Sequence, residues 1–324
     1  MPPSFRLVHV TTVPDSLAFF IGQVGWMKAR GIEVHALSSP GPLLDEFGRR
    51  EGIATHAVEM PRRISPGHDL GAVRRMVRAL RGIRPHVVHS HTPKGGLLGM
   101  IAARAAGVPV RIYHIRGLPF MTATGRRRAL LRWTEKVACG LAHQVLCVSH
   151  SIRQVAIDEG LCPPEKIRVL LGGSGNGVDA TGRFSPERHG PETRRELRAR
   201  LGIAPGAPVL GFVGRVVRDK GIVELAAAWA ALREEYPDAH LLLVGPEEPR
   251  DPVPAATLDA LRSDPRVHLT GQADAGPWYA AMDLLVFPSH REGFPNVPLE
   301  AAAMGLPVVA TRIPGCTDAV ADGD

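Results

Sequence analysis

Short apolar, β-branched runs alternate with amphipathic segments along the whole chain. The runs at Leu7–Thr11, Glu33–Leu37, Ala54–Val58, His86–Ser90, Val110–Ile115, Gln144–Val148 and Ile167–Leu171 predict strands. Periodic segments such as Asp69–Ile83 and Arg126–Ala142 predict the helices between them, and Ser16–Met27 reads as the first helix of a domain. After Asn176-Gly177 the pattern breaks into a Gly, Pro and Arg stretch ending near Pro191, which reads as a linker. A charged helix over Glu192–Leu201 follows, then strands at Val209–Val213, His240–Val244, Val267–Thr270, Leu284–Phe287 and Val308–Thr311. This alternation means parallel sheets with helices on both faces. The fold class is therefore α/β, with two Rossmann-like doubly wound parallel-sheet domains, 1–178 and 179–324, expected to face each other across a cleft.

Composition narrows the function classes. With 44% hydrophobic and 22% charged residues, the 324-residue chain can bury two cores, so wholesale disorder is excluded. Aromatic residues are only 5%, which argues against base stacking, and no nucleic-acid partner is expected. The four cysteines, Cys139, Cys147, Cys162 and Cys316, lack metal-ligand spacing and read as buried free thiols of a reducing compartment. No run is long enough to span a bilayer, so a cytoplasmic location is expected. Charge is unevenly divided. Residues 1–190 carry 26 Lys and Arg against 13 Asp and Glu, whereas residues 191–324 carry 13 against 19. Arginine clusters at 74, 75, 78, 81 and 84, and at 126–128, suit either solvated helix faces or an anionic membrane surface.

The chemistry concentrates at strand ends. In REGFPNVPLE, Glu292 and the Gly293, Phe294, Pro295, Asn296 turn stand where a strand hands over to a helix N-terminus, with Glu300 early on that helix. Open N–H groups and the helix dipole favour an anion there, and that edge of a parallel sheet is where ligands bind. Gly214 opens the turn after Val209–Val213, and Arg215 and Lys220 within it suit a diphosphate. In the first half, His89 and His91 end a strand, and no nearby carboxylate or third histidine is seen to complete a metal site, so none is expected. Lys94, at a helix start, reads as a contact for an acceptor phosphate. No G-x-G-x-x-G follows Leu7–Thr11, which disfavours a nicotinamide dehydrogenase.

Five stretches carry a resemblance over nearly the whole chain. HVVHSHTPKGGLLG (His86 to Gly99), PVRIYHIRGLPF (Pro109 to Phe120), SGNGVDATGRF (Ser174 to Phe184), GRVVRDKG (Gly214 to Gly221) and REGFPNVPLE resemble landmarks of the retaining glycosyltransferases of family 4, in the same order. The bacterial capsule and O-antigen branch is the nearest likeness. The resemblance implies the GT-B fold and a nucleotide-sugar donor, read as UDP-linked. It implies that Arg215 and Lys220 stabilise the departing diphosphate and that Glu300 accepts from the ribose hydroxyls. Glu292 would contact the transferred sugar, and Gly214, Gly293, Phe294, Pro295 and Asn296 would line the donor site. The family's histidine position holds Arg116, with His114 two residues before it, and both remain candidates for that role. His91 and Lys94 are the expected acceptor contacts.

No enzymic nucleophile is evident, so front-face transfer is expected, with no cofactor and no metal requirement. The implied acceptor is a polyprenyl-diphosphate-linked saccharide, reached by a protein peripheral on the inner face of the cell membrane through its basic first domain. Another GT-B chemistry such as nucleotide-sugar epimerisation, or a non-catalytic scaffolding role, are the alternatives. Two departures stand out. The first βα turn, Thr11 to Phe20, lacks the Gly-Gly pair of many relatives, leaving Thr12 and Ser16 as stand-ins. The second domain also reads as incomplete at its C-terminus, by about two βα units.

Overall fold

The computed structural model describes residues 5–61, 63 and 65–323. It divides into two compact units, Met1–Asn176 and Gly177–Asp324.

The first unit is built on β1 (Phe5–Val10), β2 (Ile32–Ser38), β3 (Ala54–Ala57), β4 (Val87–His91), β5 (Val110–Ile115), β6 (Gln144–Cys147) and β7 (Ile167–Val169). All pair in parallel, in the order β3-β2-β1-β4-β5-β6-β7. Its central strands are largely apolar on both faces because both are covered. Leu7 and Val87 pack with Leu17, Phe20 and Phe47 on one side. Val8, Val10 and Val88 pack with Met76, Leu80, Leu98 and Ala138 on the other. Close approach of the Pro93–Ala105 helix depends on missing side chains: a Cβ on Gly96 would lie 2.1 Å from the Tyr113 ring.

The second unit repeats the plan with β8 (Val209–Val213), β9 (His240–Val244), β10 (Val267–Leu269), β11 (Leu284–Phe287) and β12 (Val308–Ala310). These too are parallel, in the order β10-β9-β8-β11-β12. Asp283, just before β11, accepts from Arg194, Arg198 and the Val209 N–H, which ties the Pro191–Arg200 helix to the sheet.

Each apolar run read as a strand is one, with ends within two residues of those expected. The segment Ser16–Met27 differs. It splits into a 3-10 turn over Pro14–Phe20 and a short helix over Gln23–Lys28, because Gly22 takes φ +83° between them. No helix among the described residues is long and apolar enough to cross a membrane.

Candidate functional site

In each sheet the strand order reverses once, between β1 and β4 and between β8 and β11. Loops leaving adjacent strands diverge at such a point and open a crevice for ligands. The residues singled out by sequence gather at these two places.

At the β8–β11 point, the turn after β8 is clasped by the turn after β11. The His290 N–H donates to the Asp219 carbonyl at 3.0 Å, and Arg291 pairs with the Asp219 carboxylate at 2.5 Å. Gly221, at φ +74°, abuts β11's exit so closely that a Cβ there would lie 2.0 Å from the Pro288 oxygen. Gly221→Ala is therefore expected to destabilise the fold by about 3 kcal/mol, from left-handed strain plus the clash. A urea midpoint equal to that of the parent would contradict this packing.

The clasp places Lys220 against Glu292. Its ammonium donates to a Glu292 oxygen at 2.5 Å, and the two side chains are 17% and 11% exposed. Beneath them the buried Cys316 thiol is pushed up to about 12, first by burial and then by the Glu292 charge. Arg215 stands apart from this pair, half-exposed and bonded to Glu248 at 2.9 Å. Gly214, at φ +149°, bonds to the Val244 carbonyl, and a Cβ on Gly245 would sit 1.9 Å from the Gly214 oxygen.

Past Gly293 and Phe294, Pro295 precedes the Asn296–Ala303 helix, whose N-terminus has no side-chain cap; the Asn296 amide reaches the Gly177 carbonyl at 3.4 Å. Glu300 lies on the next turn and accepts from the Tyr279 hydroxyl at 2.8 Å. Burial pushes the Glu300 carboxyl above its usual range, partly offset by that hydrogen bond. Tyr279 and Cys316 carry no sequence signal and were missed, since only the fold brings them to the glutamates.

At the β1–β4 point the structure supplies what the sequence did not. His9 of β1 stands in register with His89 of β4, and His91 with His114 of β5. The expectation that no third histidine accompanies His89 and His91 is thus corrected. Ring nitrogens of His9, His89 and His91 all lie within 4.8 Å of one another. The signal was a histidine where β1's buried face predicts an apolar residue.

The hydrogen bonds set the tautomers. The Arg116 Nε–H donates to His91 Nδ1 at 3.2 Å, so the His91 proton is on Nε2 and is given to His9 Nδ1 at 3.1 Å. His9 then carries its proton on Nε2, which is buried without a partner among the described residues. The chain runs Arg116 to His91 to His9. A metal ligand instead turns its second nitrogen outward as a donor, so this order does not suit a common cation. Burial, with the Arg116 charge behind it, lowers His9 and His114 to about 3, and His89 and His91 are held well below the usual histidine value. Burial also lowers Arg116 to about 10; its guanidinium lies 4.3 Å from the Phe19 ring and donates to the Gly175 carbonyl.

The two expected acceptor contacts, His91 and Lys94, both have partners within the protein. His91 is fully buried and serves Arg116 and His9. Lys94 uses its ammonium on the Pro61 and Arg63 carbonyls and the Asp69 carboxylate, each within 2.7 Å, so it tethers that loop. Thr12 braces the same edge: its hydroxyl accepts from the Gly95 N–H and meets Thr92, a β-branched residue held at φ +65°.

Residues 22–173 match the model of a glycosyl transferase 4-like domain and residues 207–324 that of glycosyl transferases group 1. The Staphylococcus aureus capsular polysaccharide biosynthesis glycosyltransferase CapM is 32% identical over 98% of this chain and 82% of its own length. An Escherichia coli UDP-Gal:α-D-GlcNAc-diphosphoundecaprenol α-1,3-galactosyltransferase is 29% identical over 78% of this chain and 65% of its own length. Among solved structures, Anabaena Alr3699/HepE in complex with UDP and glucose superposes with a TM-score of 0.77 at 20% identity, over 98% of this chain and 84% of that one. That last likeness speaks for the fold.

Proposed function

This chain belongs to the family 4 glycosyltransferases, and from that membership we propose that it moves a sugar, with retention, from a UDP-sugar to a lipid-diphosphate-linked saccharide in surface polysaccharide synthesis. The observation that carries the reading is the Lys220–Glu292 pair at the β8–β11 switch point, beside an uncapped helix N-terminus. Cation, backbone donors and helix dipole there are the parts an anionic leaving group needs.

In this reading the second unit holds the donor. Lys220 leaves Glu292 for the diphosphate, and Arg215 swings from Glu248 to join it. Glu292, freed of its partner, accepts from hydroxyls of the sugar. Glu300 takes the ribose hydroxyls, with Tyr279 fixing the carboxylate's orientation. In the first unit Arg116, held by His91, fills the family's histidine position. The acceptor of the E. coli relative and the +13 surplus of residues 1–190 both support a lipid-linked acceptor at an anionic membrane surface.

The test is transfer itself. Incubation with a UDP-hexose and a polyprenyl-diphosphate saccharide is expected to give one glycosylated lipid that keeps the donor's anomeric configuration. Glu300→Gln should raise the donor KM by roughly ten- to hundredfold, the worth of a lost hydrogen bond to a charged group, with a smaller change in kcat. Interconversion of the UDP-sugar without acceptor would instead identify an epimerase.

A further inference from the structure

The helix Gly125–Leu141 carries an outward face that the sheet does not use. Its inner side buries Glu135, Ala138 and Cys139, and the Tyr113 hydroxyl donates to Glu135 at 2.5 Å. Arg126, Leu130, Trp133 and Val137 follow one another at helical spacing and form a single outer stripe. Trp133 is 60% exposed and Leu130 42%. Arg126, Arg127 and Lys136 are exposed beside them, and among the described residues no carboxylate pairs with these three. Glu135, the helix's one acidic residue, is buried, and Arg128 and Arg132 pair with Glu159. The outer face is thus purely cationic around an exposed indole and an exposed isobutyl group.

We propose that this face docks on an anionic lipid bilayer, with Trp133 and Leu130 inserted at the headgroup boundary and Arg126, Arg127 and Lys136 on the lipid phosphates. An amphipathic indole favours that boundary, and arginine can bury its stem while its head stays with phosphate. Cations rimming apolar anchors is the pattern of a helix that lies in the interface plane. The second arginine-rich helix, Pro66–Ile83, is a weaker candidate. Arg75 and Arg81 are bonded to the Glu59 and Ala105 carbonyls, and Leu70 is its one strongly exposed large apolar side chain. The inference rests on the lipid-linked acceptor proposed above and names the surface that reaches it.

Vesicle flotation tests it, using phosphatidylcholine with and without phosphatidylglycerol. The protein is expected to float with anionic vesicles only. Leu130→Ser with Trp133→Ser should cut the bound fraction roughly tenfold. Arg126→Glu with Arg127→Glu should do the same and abolish its salt sensitivity, whereas Leu70→Ser should leave it unchanged. Circular dichroism checks that each variant is folded, which surface positions favour. Undiminished flotation of the Leu130 and Trp133 variant overturns the proposal. So does equal loss on Leu70→Ser, or a parent dimer in light scattering that this double variant converts to monomer. UDP binding measured on the same variants separates the two readings. Lost flotation with intact UDP binding supports this face, and absent UDP binding in the parent overturns the donor reading instead.

Discussion

Lys220→Ala is expected to lower sugar transfer by about 10²–10³-fold, the loss that follows removal of one preorganised charge donor at a developing anion. Two effects must be separated in that variant. Lys220 neutralises Glu292 in a pair whose side chains are 17% and 11% exposed, so its removal strands a largely buried carboxylate. A thermal midpoint lower by several degrees should therefore accompany the kinetic loss. Adding Glu292→Ala is expected to restore part of the stability and none of the turnover, because the stranded charge goes while the diphosphate clamp stays absent. If Lys220→Ala lost stability but kept its turnover, the pair would be an element of the fold alone. Arg215→Ala should lose activity with no change in midpoint, since its partner Glu248 lies at the half-exposed surface.

The second large effect is on stability in acid. His9 and His114 are held at about 3 against a usual 6.5, and His89 and His91 also lie well below it. Between those values the unfolded chain binds protons that the fold refuses. Stability is therefore fully present above pH 6.5 and falls as pH drops toward 3. Each such histidine contributes about 1.4 kcal/mol per pH unit in the middle of that window. Glu135 opposes this: burial pushes it up to about 7, so its contribution falls as pH rises from the usual carboxylate range to that value. One carboxyl against four imidazoles leaves the histidines in control. Urea midpoints between pH 7 and 5 are expected to fall with an uptake of at least two protons on unfolding. His9→Leu should flatten that slope. A pH-independent midpoint would show that the rings titrate freely and that the Arg116–His91–His9 chain does not exist in solution.

The strands were legible because two covered sheet faces leave apolar runs that no other arrangement would bury. Arg215, Lys220, Glu292 and Glu300 were legible as residue types at strand ends, where ligand chemistry belongs. Their pairing was not. That Lys220 rests on Glu292, and Arg215 on Glu248, follows from β8 lying beside β11 and β9, a long-range outcome that no local spacing encodes. His9 was hidden for the same reason, standing 82 residues from His91 until β1 and β4 pair. Lys94 illustrates the converse. A cation at a helix start reads as an anion contact, and only the fold shows that the carbonyls of Pro61 and Arg63 also bond it. Tyr279 lies before β11 in a stretch with no motif, and only the fold turns its hydroxyl to Glu300.

The proposed role of the β8–β11 switch point is to grip the diphosphate and ribose of an activated sugar. A crystal of the protein soaked with UDP is the deciding experiment. The diphosphate is expected against Lys220 and Arg215 at the start of the Asn296–Ala303 helix, with the ribose hydroxyls on Glu300. UDP lodged elsewhere, with the Lys220–Glu292 pair left closed, would contradict it.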